Sequence, residues 1–187
     1  METDKKYKLT DECITIGDKK LYRIESLKDF AFIKKGDKGG FVESEENLSQ
    51  VGSCWIYNDT KVCGNAWVFG DAMVYGDAMV YGNACVFGDA EIYDNVRVYG
   101  NAEVFGNVHI KGDADISSIS DYIFFKNWWS SGRCFTWTRS NNMWSVGCFY
   151  GTGKELIEKA YKDSELSGRE YKRVIDYVES VLKEIKS

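Results

Sequence analysis

Proline is absent from the 187-residue sequence, and histidine occurs only once. Without proline, every residue in a strand can donate its backbone hydrogen bond, which is compatible with long regular ladders of strands. No run approaches the ~18 apolar residues that a membrane-spanning helix needs. The N-terminal stretch is polar and has no apolar segment typical of a signal peptide. We therefore expect a cytoplasmic protein with no membrane partner.

The cysteines form no CxxC pair, and the charges nearly balance. Free thiols in a reducing compartment are the simplest interpretation of the six cysteines, which are Cys13, Cys54, Cys63, Cys85, Cys134 and Cys148. With 24 basic against 29 acidic residues and a net charge of −5, the chain lacks the basic excess of a duplex nucleic-acid binder. Hydrophobic residues make up 44% of the chain, which is enough for a packed core.

A six-residue unit fills the middle of the chain, as in VFGDAMVYGDAMVYGNACVFGDA at residues 68–90. Each unit reads aliphatic, aromatic, Gly, Asp or Asn, Ala, and a variable residue. The Ala and the next aliphatic residue are two positions apart, so an extended strand points both to one side. The Gly-Asp or Gly-Asn pair supplies a turn, because both residue types tolerate positive φ. A short strand-and-turn repeat of this kind predicts a parallel β-helix with Ala and Val inside.

The units at residues 41–118 resemble the hexapeptide repeat of left-handed β-helices. The resemblance implies three hexads per coil and about four coils, and the handedness follows from it alone. Three hexads per coil stack the aromatic positions into ladders: Phe69, Phe87 and Phe105; Tyr57, Tyr75, Tyr93 and Lys111; Cys63, Tyr81 and Tyr99. The variable positions stack as Trp55-Met73-Glu91-His109, Lys61-Met79-Arg97-Asp115 and Trp67-Cys85-Glu103.

The outward apolar residues allow two interpretations. The ladders stabilise the solenoid by stacking rings across strands, or they form a surface for a partner or for a homo-oligomer, either a trimer or a dimer. The candidate surface comprises Trp55, Trp67, Met73, Met79, Phe69, Tyr75, Tyr81 and Phe87, with Cys85 beside them.

The flanking segments are predicted to cap the solenoid, because open sheet edges invite polymerisation. Residues 1–40 form a β cap containing a hairpin over 13–24 with a turn at Gly17-Asp18. Residues 119–187 form a β-meander and two helices. We predict strands at 121–129, 134–138 and 143–150, and turns at 130–133 and 139–142. Capping boxes at Thr152–Glu155 and Ser167–Glu170 predict helices over about 154–164 and from Ser167 to about 186. Along the second helix an apolar stripe repeats at helical spacing, and we expect it to pack on the meander or to form an oligomer contact; its residues are Tyr171, Val174, Ile175, Val178 and Leu182.

A second resemblance covers nearly the whole chain. The segment LYRIESLKDF…KKGDKGGFVESEENLSQVGSCWIY, the following repeats and the closing FTWTRSNNMWSVGCFYGTGKELIEKA resemble hexapeptide-repeat, polymer-forming proteins of bacteriophages and prophages. This resemblance implies a phage context and carries over no catalytic residue.

The enzyme hypothesis rests on the single histidine. Hexapeptide acyltransferases need a general base, usually His, and only His109 is available, at a regular outward position where a solvated surface role is the simpler interpretation. Related zinc enzymes of this fold use three histidines, and the sequence offers no other cofactor or metal motif. We therefore expect no cofactor and no metal, and we keep the acyltransferase with His109 as an alternative.

Recognition is the leading hypothesis. Aromatic and Arg side chains crowd one short stretch of the meander, where they either form the core of the cap or bind a nucleotide-like molecule or a host protein. The residues are Trp128, Trp129, Arg133, Trp137, Arg139 and Trp144. The phage context suggests a non-catalytic binding protein that sequesters or blocks a host factor, as a host-defence antagonist. A self-assembling structural solenoid is a further alternative.

Overall fold

The computed structural model describes residues 5–129 and 132–185. It begins with an antiparallel hairpin of β1 (Tyr7–Ile16) and β2 (Lys19–Ser26), whose turn lies at Gly17 and Asp18 as predicted. β3 (Lys38–Val42) pairs antiparallel with β2 and parallel with the first coil, so the hairpin continues directly into the solenoid. A short 3₁₀ turn, Glu45–Asn47, follows β3.

The solenoid consists of two-residue strands separated by four-residue corners. Each strand holds one variable residue, which points outward, and one aliphatic residue, which is buried. The strands are β4 (Trp55–Ile56), β5 (Lys61–Val62), β6 (Trp67–Val68), β7 (Met73–Val74), β8 (Met79–Val80), β9 (Cys85–Val86), β10 (Glu91–Ile92), β11 (Arg97–Val98), β12 (Glu103–Val104), β13 (His109–Ile110) and β14 (Asp115–Ile116).

Every third strand pairs in parallel, and this defines three faces. The first face is β4-β7-β10-β13 and the second is β6-β9-β12. The third is β5-β8-β11-β14, and β1, β2 and β3 extend its sheet to seven strands. The predicted stacks of variable residues are confirmed, since Glu91 pairs with both Met73 and His109. The fold class is therefore a mainly β parallel solenoid of about four coils with two helices after it.

Small and branched side chains fill the interior of the coils. Ala72, Val74, Ala78 and Val80 are fully buried, and the same pair of positions is fully buried through to Ile116. Between coils, backbone N–H groups donate to carbonyls of the next coil, as from Trp55 to Ala72 at 3.0 Å. The prediction that the repeated Ala and Val residues point inward is confirmed.

Close stacking of the corners explains the repeated glycine. Gly76 has φ +74°, and a Cβ there would lie 2.8 Å from the carbonyl oxygen of Asp94 in the next coil. Asp94 itself occupies the corresponding corner with φ 61°, a conformation that Asp and Asn tolerate better than most residues. The corner sequence is thus set by both the turn and the contact between coils.

Trp55 is fully buried, so the expectation that it belongs to an exposed surface is wrong. Tyr7 and Phe30 pack their ring edges against it, with centroids 6.3 Å and 5.5 Å from its ring. The hairpin and the loop after it fold over this part of the first coil. A repeat pattern places Trp55 at an outward position, but it carries no information about which segment covers that position.

The C-terminal unit begins after a 3₁₀ turn at Ile119–Asp121 and packs a four-stranded antiparallel sheet against two helices. Its strands are β15 (Tyr122–Lys126), β16 (Cys134–Thr138), β17 (Met143–Val146) and β18 (Phe149–Gly151). The single strand predicted over 143–150 is wrong, because Gly147, at φ 56°, and Cys148 form a two-residue turn within it. Ser130 and Ser131 of one predicted turn lie outside the described residues.

The helices are α1 (Gly153–Asp163) and α2 (Glu165–Ile185). Thr152 and Glu155 form the predicted capping box of α1. The capping box predicted at Ser167 is wrong, because α2 begins earlier and the Ser164 hydroxyl accepts the Ser167 N–H at 3.1 Å. The predicted end of this helix near Lys186 lies outside the described residues. Neither described helix is long and apolar enough to cross a membrane.

Side chains from the flanking units satisfy the backbone at both ends of the solenoid. At the last coil, Thr136 accepts from the His109 N–H, and Ser140 accepts from the Asp115 N–H. At the first coil, the Asn47 amide donates to the carbonyls of Gly64 and Ala66, both at 2.9 Å. Folded chain therefore covers both end coils. Such a cover is expected, because an open edge of a β-helix would pair with another copy and polymerise.

Candidate functional site

The predicted aromatic cluster of the meander is divided between core and surface. Trp137 and Trp144 are each only 2% exposed and pack with Phe135 between the sheet and the helices. The Trp137 indole N–H donates to the Asn142 amide oxygen at 2.9 Å, so its polar atom is also satisfied. For these two tryptophans the core interpretation holds, and they cannot contact a ligand without unfolding the unit.

The remaining predicted residues do not meet at one place. Trp129 is partly buried and packs its ring edge against Tyr171, with centroids 6.1 Å apart. Trp128 is 88% exposed. Arg133 and Arg139 flank opposite ends of β16, which separates them by about 20 Å along a strand. The structure therefore does not assemble the six residues into a shared ligand site.

An apolar groove of about 350 Å³ lies between β15 and α2. Side chains of β15 alternate, so that Ile123 and Phe125 face the helices while Tyr122 and Phe124 pack on the solenoid. The floor and walls of the groove are Ile123, Phe125, Arg173, Val174, Tyr177 and Val178. Its volume falls within the range of about 300–1,000 Å³ typical of ligand pockets.

The surroundings of the groove are suited to an extended peptide. β15 is the outer strand of its sheet, so one of its edges is not paired within the sheet. Tyr177 is 66% exposed, and the exposed Trp128 follows β15 by two residues. Arg173 lines the groove, and its guanidinium donates to Glu170 at 2.7 Å. An open strand edge beside apolar pockets is the geometry of β-strand addition.

Sequence reasoning missed this groove for a definable reason. Val174 and Val178 belong to the helical stripe predicted to pack on the meander. Val178 is buried there, and Val174 packs against the same core while it stays partly exposed. Tyr177 lies beside that stripe, and a large exposed aromatic residue next to a packing stripe was the available signal. The short β15 leaves part of this stripe uncovered. Tertiary packing decides which part, so the sequence pattern alone does not show it.

A second, polar cleft of about 220 Å³ lies beside the β17–β18 turn. Its lining includes Arg133, Cys148, Phe149, Lys159 and Asp163. The cleft is weakly basic, because Arg133 and Lys159 face the single carboxylate of Asp163 in its lining. Of the residues predicted to bind a ligand, its lining includes Arg133. Its volume is below the range of about 300 Å³ and upward that organic ligands usually occupy.

His109 lies next to two potential proton-transfer groups. Its Nδ1 is 3.1 Å from the Glu91 carboxylate, to which the Tyr93 hydroxyl also donates a hydrogen bond. Burial, and then the bond to Glu91, raise the pKa of the Tyr93 phenol. The His109 and Glu91 side chains are about one-third exposed, at 35% and 32%. Among residues 5–129 and 132–185, no group of three or more His, Cys, Asp or Glu could hold a metal.

The aromatic ladders form as predicted. Phe69, Phe87 and Phe105 stack with centroid distances of 4.8 Å and 5.2 Å, and Tyr75 stacks on Tyr57 at 4.4 Å. Burial, followed by the neighbouring Tyr57, raises the pKa of Tyr75 to about 12. These contacts support the interpretation that the rings stabilise the solenoid.

The predicted interface residues are exposed to different degrees. Trp67 is 43% exposed and lies over Phe69 at 4.0 Å. Partial burial is shared by most of the others, namely Phe69, Met73, Tyr75, Met79, Tyr81, Cys85 and Phe87. The face of β6, β9 and β12 therefore carries the most exposed large aromatic residue of the predicted surface. The homo-oligomer itself stays a prediction.

No family model matches the chain. No curated protein matches it either.

Proposed function

We propose that the protein is a non-catalytic binding protein whose C-terminal unit receives an extended apolar segment of a partner protein in the groove between β15 and α2. The observation that carries this proposal is a 350 Å³ apolar groove next to the outer strand of a sheet, with Tyr177 two-thirds exposed at its wall. Exposed aromatic residues around an apolar pocket are the usual anchors of protein recognition.

The bound segment would make two kinds of contact. Its backbone would pair with the free edge of β15, which supplies affinity independent of sequence. Alternate side chains would enter the space between Phe125, Val174 and Tyr177, which supplies selectivity. Arg173 at the wall of the groove favours an acidic residue flanking the apolar segment, in competition with Glu170, with which it is paired at 2.7 Å.

The phage resemblance of the sequence leads us to propose a host protein as the partner, with blocking of a defence protein as the biological effect. A nucleotide signal is the less favoured ligand. The aromatic and Arg residues that would stack a base and pair a phosphate do not converge, because Trp137 and Trp144 are core residues.

A peptide library of random sequence, displayed on particles and selected against the intact protein, tests the groove. We expect enriched peptides with alternating apolar residues and a flanking Asp or Glu, bound at least tenfold more weakly by Tyr177→Ala. Phe32→Ala is the matched control, because Phe32 is an aromatic residue 91% exposed in the N-terminal unit. Peptides that bind both variants like the wild type, or no enrichment at all, would contradict the proposal.

The acyltransferase alternative is favoured by one observation, the 3.1 Å pair of His109 and Glu91. Such a pair can orient a histidine as a general base. Incubation of the protein with acetyl-coenzyme A and a panel of amine and hydroxyl acceptors tests it by release of free thiol. Turnover that His109→Ala abolishes would establish the enzyme and overturn the non-catalytic proposal.

A further inference from the structure

Lys6 and Cys54 form a buried pair at the beginning of the solenoid. Lys6 is 1% exposed and Cys54 is fully buried. The Lys6 Nζ lies 3.2 Å from the Cys54 Sγ and donates to the Cys54 carbonyl at 2.9 Å. A buried lysine usually has a carboxylate partner. Within the described part of the chain, the Lys6 nitrogen instead donates to the carbonyls of Gly52 and Cys54 and to the Cys54 thiol.

Burial shifts the pKa of each group in the direction of its uncharged form. Burial lowers the pKa of the Lys6 amine, an effect that the Cys54 sulfur opposes, Lys28 adds to, and Asp71 weakly opposes. Burial likewise raises the pKa of the Cys54 thiol. The nitrogen and the sulfur are in contact at 3.2 Å, and the neutral fraction of the amine, which the lowered pKa increases, carries a free electron pair on nitrogen.

We propose that Lys6 and Cys54 form a reversible nitrogen–oxygen–sulfur cross-link when dioxygen reaches the pair. One oxygen atom is inserted between Nζ and Sγ, forming one N–O bond and one O–S bond. The second oxygen atom leaves as water with the thiol hydrogen and one amine hydrogen. The sulfur and the nitrogen each lose two electrons, and dioxygen takes up all four. Two equivalents of a dithiol, each giving two electrons and two protons as it becomes a disulfide, reverse the reaction and release the bridging oxygen as a second water.

The position of the pair gives the oxidant a short path. Carbonyl oxygens of the loop at residues 49–53 surround the sulfur, with Ser49 at 3.6 Å and Val51 at 3.9 Å. The loop faces solvent at Val51, which is 79% exposed. Dioxygen is small and apolar, so its passage through this loop needs far less opening than that of a charged oxidant.

The cross-link would fasten the N-terminal hairpin to the first coil. Lys6 directly precedes β1, and Cys54 directly precedes the buried Trp55 of β4, 48 residues further along the chain. A covalent bond between such distant positions restricts the unfolded chain and stabilises the fold. The oxidised protein would therefore unfold at a midpoint temperature several degrees above that of the reduced protein.

Mass spectrometry of the purified protein, kept in air-saturated buffer with and without a dithiol, tests the proposal. We expect a gain of one oxygen less two hydrogens, about 14 Da, together with a peptide in which Lys6 and Cys54 are joined and trypsin no longer cleaves after Lys6. Dithiol should remove the added mass. The peptide map of the wild-type protein tests the proposal by itself, even if the variants described next fail to fold.

Variants separate this pair from general cysteine oxidation. Lys6→Met and Cys54→Ala should each abolish the mass gain, whereas Cys63→Ser, which changes another buried thiol, should retain it. A sulfinic acid on Cys54 with Lys6 unlinked would overturn the proposal. So would a chain that stays unmodified, or a link that joins Cys54 to another cysteine.

Discussion

The Thr136 hydroxyl accepts a hydrogen bond of 3.1 Å from the backbone N–H of His109. His109 lies on the last coil, where no further coil follows to accept this N–H. Thr136 points toward the solenoid because its neighbours Phe135 and Trp137 point toward the helices. Because side chains of β16 alternate between its two faces, this strand contacts both the helices of the C-terminal unit and the last coil of the solenoid.

We expect Thr136→Val to cost about 1 kcal/mol of unfolding free energy, because it leaves a partly buried backbone donor without its partner. Valine keeps the shape of threonine and removes only the acceptor. Urea unfolding monitored by tryptophan fluorescence measures the loss. Thr136→Ser should recover most of the stability, and a valine variant as stable as the wild type would show that this bond is dispensable.

Two glycine variants separate backbone strain from contact between coils. Gly17 has φ +61° and open space where a Cβ would lie, so Gly17→Ala should cost about 1–2 kcal/mol from the left-handed conformation alone. Gly76→Ala adds the contact of 2.8 Å with the Asp94 oxygen and should cost clearly more. Equal losses in chemical unfolding would mean that the coils separate easily at their corners.

Two tryptophans of the meander should differ sharply. Trp144→Ala removes a buried ring from the core of the C-terminal unit and should cost about 3–5 kcal/mol. Trp128→Ala changes an 88% exposed residue and should stay within about 0.5 kcal/mol. Thermal unfolding of the two variants compares them directly, and a large loss for Trp128 would reveal packing that its exposure does not indicate.

Glu43 should make stability depend on acid pH. Its carboxylate accepts hydrogen bonds from Lys19 and from the Gly64 N–H, and these lower its pKa below the ordinary 4.5. A carboxyl pKa that is lower in the folded state contributes stability above the unfolded value of about 4.5, and that stability is lost as the pH falls through the lower folded value. Urea unfolding at intervals of about one pH unit, from about pH 7 to about pH 3, measures this loss.

Glu43→Gln is the matched variant for this pH dependence, because it keeps the shape and removes the charge. Its stability should fall less steeply below pH about 4.5 than that of the wild type. Parallel curves for the two proteins would assign the acid sensitivity to other carboxylates.

The repeat made the solenoid predictable in detail. The pattern of each hexad indicates which residue forms the turn and which residue is buried. With three hexads per coil, residues that pair lie three hexads apart, so the pairing of Glu91 with Met73 and His109 is predictable. Local signals at Thr152 and Glu155 likewise located the beginning of α1. These features depend on neighbours in sequence or on a fixed period.

Features that depend on contacts between non-repeating segments could not be predicted in the same way. The burial of Trp55 depends on Tyr7 and Phe30, whose positions no period describes. The groove at Tyr177 exists because β15 is the outer strand of its sheet, which the strand order decides. The turn at Gly147 could not be recognised in the sequence, because the residues on both sides of it are equally typical of a strand.

Residues that stack on one another, such as Asn65, Asn83 and Asn101, are 18 positions apart along the chain. Deleting or inserting one such block of residues would leave every ladder continuous and both covered ends intact. The N-terminal hairpin and the groove between β15 and α2 would then move together or apart by one strand spacing, about 4.8 Å. Variants of this chain with one block more or fewer would therefore hold the same two end units at distances that change only in fixed steps.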